Sequence, residues 1–269
     1  MLLLRVISAA IGIVYIIFML YIGGWFYKLS VLAMAFIMMH EFYRAFKNKG
    51  YRPIALIGYI KLLILYYLVI ANKDTYILPI IGLFFIIGIS LPVIFSSINI
   101  MDVMVTLFAV IYPGTMILYL IPLGFCMDSY NYSFLLLTFI VTWSADTFAY
   151  FIGIKFGRRK LCPTISPKKT IEGSLGGLLG SILMGIIMGW VFNTYMNIHI
   201  SLVHFIVLGI FAGVFSQIGD LAASSIKRYC EIKDFGNFLP GHGGLLDRFD
   251  SVLFTAPLFY FYILFFINI

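Results

Sequence analysis

Long apolar runs separated by short polar breaks set the pattern of this chain. Read for stretches near the ~18–20 residues that cross a bilayer's hydrocarbon, they predict about nine helices. These fall near residues 3–22, 26–47, 54–71, 77–97, 103–123, 132–156, 173–193, 201–228 and 249–267. Gly and Pro interrupt several, and the ends of the fourth and fifth are the least marked. Aromatic residues gather at many ends, as in Trp25, Phe26 and Tyr27, or Tyr130 and Tyr132, which suits interfacial belts. The opening MLLLRVISAAIGIVYIIFMLYIGG has only Arg5 ahead of an apolar run longer than a signal-peptide core, with no small-residue cleavage site. It reads as the first membrane helix. The expected fold class is therefore all-α, a polytopic integral membrane protein with its N-terminus cytoplasmic. One membrane domain covers 1–269, with 1–130 mainly structural and 131–269 carrying catalytic helices and cytoplasmic loops.

Composition supports the bilayer. Hydrophobic residues make up 62% of the chain, against roughly 45–50% in soluble domains, and mean hydropathy is +1.06. Of the 18 basic residues, 15 fall on one side of the nine-helix layout: Arg5, Arg44, Lys47, Lys49, Arg52, Lys155, Arg158, Arg159, Lys160, Lys168, Lys169, Lys227, Arg228, Lys233 and Arg248. Short basic loops stay cytoplasmic, which sets the orientation. The net charge of +7 follows from that topology and from attraction to anionic lipid, and no nucleic-acid partner is expected. Cys126, Cys162 and Cys230 form no CxxC pair and read as packing residues.

Against this background the segment KDFGNFLPGHGGLLDRFDS, Lys233 to Ser251, is anomalous: it is polar and rich in glycine. It follows a helix with one polar stripe, because Gln217, Asp220, Ser224 and Lys227 recur at ~100° per residue. An aspartate in a membrane helix is costly unless it meets water, a cation or a partner charge. Asp220 is a candidate metal ligand or, alternatively, half of a structural ion pair. Downstream, Gly241, Gly243 and Gly244 let backbone approach a ligand and free amides for anionic oxygens. His242 among them could order the loop or touch substrate. Asp247 and Asp250 lie near the start of the last helix, where either could be an N-cap. Asp220 and Asp247, facing one another across a helical hairpin, would form an incomplete oxygen shell of the kind Mg²⁺ completes with phosphates and water.

A second constellation lies between the sixth and seventh helices. Asp146 sits inside a span, a basic run follows, and then comes Ser166-Pro167-Lys168-Lys169-Thr170. Ser-Pro resembles an N-cap and first-turn pair, which would aim free amides and both lysines at one anion. A simple capped helix with lipid-facing lysines is the alternative. Glu172 reads as a first-turn charge or as a partner for a nearby lysine. Gly173, Gly176, Gly177, Gly180, Gly185 and Gly189 have the spacing of close helix packing. His40, His199 and His204 carry no assigned role.

The run SSIKRYCEIKDFGNFLPGHGGLLDRFD resembles the signature of the phosphatidate cytidylyltransferase, or CDP-diacylglycerol synthase, family. Its fixed positions are Lys227-Arg228, Lys233-Asp234, Gly236, Leu239-Pro240, His242-Gly243-Gly244 and Asp247-Arg248-Phe249-Asp250. DTFAYFIGIKFGRRKL and SPKKTIEGSLGG add to the likeness, whereas residues 1–130 match mainly in character. The resemblance implies the reaction of CTP with phosphatidate to give CDP-diacylglycerol and pyrophosphate. It also implies a divalent cation and a homodimer in the cell membrane, with the active site facing the cytoplasm. On that reading Asp220 and Asp247 hold Mg²⁺, and a second cation assisted by Asp146 or Asp250 is compatible with the set. Lys227 and Arg228 join the catalytic group. Ser166, Lys168, Lys169, Thr170, Ser224, Lys233, Gly241, His242, Gly243, Gly244 and Arg248 bind substrate. A transporter would also line a polar cavity with charges, but no inverted repeat is visible. The aspartate signature of CDP-alcohol phosphotransferases is absent.

Overall fold

The computed structural model describes residues 2–125, 132–196, 199–238, 241 and 243–267. Through them run nine helical segments: α1 (Leu2–Ile22), α2 (Gly24–Asn48), α3 (Ala55–Ile70), α4 (Ile77–Ile94), α5 (Ile100–Gly124), α6 (Ser133–Phe156), α7 (Ile171–Tyr195), α8 (Leu202–Tyr229) and α9 (Leu246–Phe266). Seven of these are long and apolar enough to cross a membrane; α1 and α3 contribute shorter apolar helices. The protein is a multi-pass membrane protein. In α4 only Gly88 is buried, so nearly its whole apolar surface is left for hydrocarbon. Asn99 opens α5 by accepting the Met101 amide at 2.9 Å. The helix then widens into a π-helical stretch at Val110–Thr115, around Pro113, which has no N–H for the ladder.

Packing divides the chain into two compact units, each made of two separate stretches: Met1–Ile121 with Tyr229–Phe249, and Pro122–Arg228 with Asp250–Ile269. The polar loop after α8 thus belongs with the N-terminal helices.

In the first unit, side chains tie neighbouring segments together. Tyr43 donates to the Thr106 carbonyl at 3.2 Å, and Lys61 to the Phe84 carbonyl at 3.0 Å. The Asp102 carboxylate accepts the Arg52 amide at 2.6 Å. Lys49 pairs with Glu231, and that bond holds the Glu231 carboxyl below its ordinary range. Burial pushes the neighbouring Cys230 thiol up to about 11, as suits a packing residue. Cys126 lies outside the described residues.

In the second unit α6 and α7 run side by side at a separation their glycines permit. A Cβ added at Gly173 would lie 2.7 Å from the Ala149 carbonyl oxygen, and one at Gly177 would lie 2.7 Å from that of Ala145. Gly176 and Gly180 close on Ile152 and Phe148 in the same way, and Gly185 and Gly189 close on Phe205 of α8. Small-residue spacing here means close packing, as expected.

One expectation is corrected. Ser166–Thr170 is not a helix start but a strand, β2, paired antiparallel with β1 (Lys160–Cys162), Lys160 opposite Thr170 and Cys162 opposite Ser166. The cap of α7 is Thr170, whose hydroxyl accepts the Gly173 amide at 3.1 Å. Pro167 is tolerated because an edge strand has amides that need no partner. Strand alternation then sends the two lysines to opposite faces: Lys168 is exposed and Lys169 half-buried. Thr170→Val, which keeps the shape and removes the cap, is expected to cost about 1 kcal/mol. A lower midpoint of thermal unfolding in detergent would register it.

Candidate active site

Each unit contains one polar constellation. In the second unit it is built from α6, β2, α8 and α9. Asp220 stands on the polar stripe of α8, and its Oδ2 receives Lys169 Nζ at 2.6 Å. One turn on, Ser224 donates to Oδ1 at 3.3 Å. Gln217, one turn earlier, donates to the Ser174 carbonyl of α7 at 3.0 Å. Asp146 on α6 lies within electrostatic reach of Asp220 and Lys169. Asp250 accepts the Ser251 amide at 2.7 Å and feels Asp220, Lys227 and Asp146. Asp250 and Lys227 are almost fully buried, whereas Asp220 keeps about a third of its side chain open. Three carboxylates and one ammonium group of the membrane helices are therefore gathered with Lys169 of β2. That arrangement is expensive in hydrocarbon, and the open side of Asp220 gives a ligand access to it.

Around this group Arg228 reaches the Ile165 carbonyl at 3.4 Å. Glu172 accepts the amides of Arg158 and Arg159 at 3.0 and 3.2 Å. It therefore orients the approach to β1 and not a lysine.

In the first unit the constellation is the glycine loop. Asp247 is buried, and its Oδ2 accepts the amides of Phe235 at 2.8 Å and Gly244 at 3.0 Å. Gly243 adopts φ +87°, and a Cβ there would meet Asp247 Oδ2 at 3.1 Å. Gly241 is likewise left-handed, at φ +77°. Lys233, Gly241 and Arg248 are exposed; His242 lies outside the described residues. Asp247, read from the sequence as a metal ligand, has an observed task in shaping the loop.

One residue escaped sequence reading. Glu41 of α2 is buried, and its carboxylate accepts the Leu245 amide at 2.9 Å and the Leu246 amide at 2.8 Å. The available signal was the one used for Asp220, a lone acid inside an apolar helix. The neighbouring basic cluster at 44–52 concealed it.

Among the described residues, no three His, Cys, Asp or Glu side chains form a ready metal cage. The donors of the second unit are all hard oxygens. They fit Mg²⁺ as a partial shell of one or two carboxylates, with phosphate oxygens and water supplying the rest.

Comparison with known proteins decides the family. A family model described as the cytidylyltransferase family matches residues 3–266. The chain belongs to that family. A Synechocystis relative named phosphatidate cytidylyltransferase is 30% identical, over 96% of this chain and 95% of its own length. The Bacillus subtilis protein of the same name is 37% identical, over 57% of this chain and 55% of its own. For the Staphylococcus haemolyticus protein the figures are 35%, 59% and 58%. The match thus spans a little over half the length of the Bacillus and Staphylococcus relatives. This family member is a membrane enzyme, a nucleotidyltransferase.

Proposed function

We propose that the protein joins CTP to phosphatidate, forming CDP-diacylglycerol and pyrophosphate at the cytoplasmic face of a cell membrane. The observation that carries this reading is the pair between Lys169 of β2 and Asp220 of α8, grouped with Asp146, Lys227 and Asp250 from the membrane helices of a cytidylyltransferase. The lipid's phosphate monoester has a second pKa of about 6 and is largely ionised at neutral pH, so it needs no protein base. One of its oxygens attacks the α-phosphorus of CTP. The bond from that phosphorus to the bridging oxygen of the β-phosphate breaks, and pyrophosphate leaves with the electron pair.

The protein's task is alignment and charge cancellation between two polyanions. Lys169 and Lys227 offset phosphate charge from within the cluster, and Arg228 and Lys168 do so from exposed positions of the same unit; Lys233 and Arg248 are proposed substrate contacts of the first unit. Asp220 holds Lys169, and Ser224 fixes the rotamer of Asp220. Gly241 and Gly243 offer backbone to phosphate oxygens, while the Gly244 amide is held by Asp247. Asp220 with Asp146 or Asp250 would hold Mg²⁺, and a second cation would draw on the same set. Bound there, Mg²⁺ would neutralise triphosphate charge and favour departure of pyrophosphate. Asp247 is assigned to the loop, since its Oδ2 is committed to two amides. A homodimer is part of the proposal, to be checked by molar mass in detergent.

The test is turnover by the purified full chain in detergent with labelled CTP, phosphatidate and Mg²⁺. Labelled lipid and pyrophosphate should appear in equal amounts, and neither should form without the metal. Folded protein that gives no CDP-lipid, or that instead moves a solute across liposomes without releasing pyrophosphate, would overturn the reading.

A further inference from the structure

We propose that Glu41 is the positioning residue of the glycine loop, so that α2 sets the geometry in which CTP is bound. This rests on the function proposed above. Each oxygen of the Glu41 carboxylate takes one amide, Leu245 on Oε1 and Leu246 on Oε2. These two donors open α9, where a helix leaves amides unsatisfied and its dipole favours negative charge. The loop also closes over the same carboxylate. A Cβ on Gly244 would lie 2.6 Å from both oxygens, and one on Gly236 would collide with Oε1. Two glycines eight positions apart are thus drawn against one side chain, an approach possible only without side chains of their own.

The grip continues on both sides. Asp247 Oδ2 holds the amides of Phe235 and Gly244, so two acids secure four amides, at 235, 244, 245 and 246. Phe235 stacks on Phe42, the residue after Glu41, with ring centroids 6.4 Å apart. Lys49 of the same unit pairs with Glu231 at the loop's beginning. Leu245 and Leu246, beside Gly243 and Arg248, are therefore held by a residue about 200 positions earlier in the chain. Glu41 touches no reacting atom in this account; it acts through the loop.

Glu41→Gln keeps the size but puts an amide group where one acceptor stood, so one of the two backbone donors faces another donor. Losing a charge-assisted hydrogen bond should raise KM for CTP about tenfold or more, with KM for phosphatidate changed less than about twofold. Glu41→Asp, which retains both acceptors, should recover part of that loss. Gly244→Ala, which perturbs the same contact from the loop side, should reproduce the Gln phenotype. Amide hydrogen exchange gives a readout independent of turnover: residues 235 and 244–246 should exchange faster in the Gln variant, while α6–α8 stay unchanged. A loosened loop with unaltered KM for CTP would overturn the positioning role. So would equal loss of kcat for both substrates in proportion to misfolded protein. Absence of turnover by the native chain would instead count against the proposed function and leave the exchange result standing.

Discussion

Asp220→Asn is expected to cut CDP-lipid formation by about 10²–10³-fold, the range found when one preorganised electrostatic group is removed from an active site. The substitution is nearly isosteric, and Ser224 can still donate to the remaining oxygen. What disappears is the negative charge that holds Lys169 Nζ at 2.6 Å and that would share in binding Mg²⁺. Lys169 is then released from its defined place, and the carboxylates of Asp146 and Asp250 are left to balance Lys169 and Lys227. Because a third of the Asp220 side chain is open, solvent moderates the cost to stability, and the thermal midpoint should move by only a few degrees. Ser224→Ala, which removes a single 3.3 Å hydrogen bond, should lower turnover only a few-fold. Labelled-product assays on monodisperse protein decide the matter. Activity of the Asn variant within about threefold of native would remove Asp220 from the mechanism.

The largest structural effect is expected from Gly177→Leu. At this level α6 and α7 are separated by a single glycine: an added Cβ lies 2.7 Å from the Ala145 carbonyl oxygen and 3.0 Å from the Ala149 methyl. Backbone on one side cannot rotate away, so the helices must move apart. Overpacking of this kind costs about 1–3 kcal/mol. The displacement also has a functional cost, because Ala145 precedes Asp146, and Gln217 pins α8 to the Ser174 carbonyl one turn away on α7. The substitution should therefore lower both the unfolding midpoint and turnover. Leu175 is exposed on the same helix, and Leu175→Ala serves as the neutral control. Native melting and native turnover in the Gly177→Leu variant would show that the two helices are not held at this spacing.

How much of this could be read from the sequence depended on what each signal measures. Helix positions followed from apolar run length, which the bilayer enforces directly, and each expected segment coincides with a helix among the described residues. The stripe of Gln217, Asp220, Ser224 and Lys227 was legible because helical periodicity alone places those residues together. The hairpin at 160–170 was not. Ser-Pro is a fair helix-start signal, but Thr170 lies one position ahead of the helix and competes for the same role, and pairing with Lys160–Cys162 settles the contest. Glu41 and the loop-binding work of Asp247 were hidden for a different reason. Their partners are backbone amides, which carry no residue identity, and for Glu41 they lie 204 and 205 positions away. Side-chain types announce charge, but they do not announce which main-chain groups will need it.

Because each unit is assembled from two separate stretches, the order of synthesis matters. The helices through Ile121 emerge from the ribosome more than a hundred residues before Tyr229–Phe249, so Glu41 must wait in the nascent protein without its eventual amide donors. Cutting the gene after residue 121 would accordingly yield an N-terminal half missing its own closing segment, and co-expression of the two fragments should restore what neither attains alone.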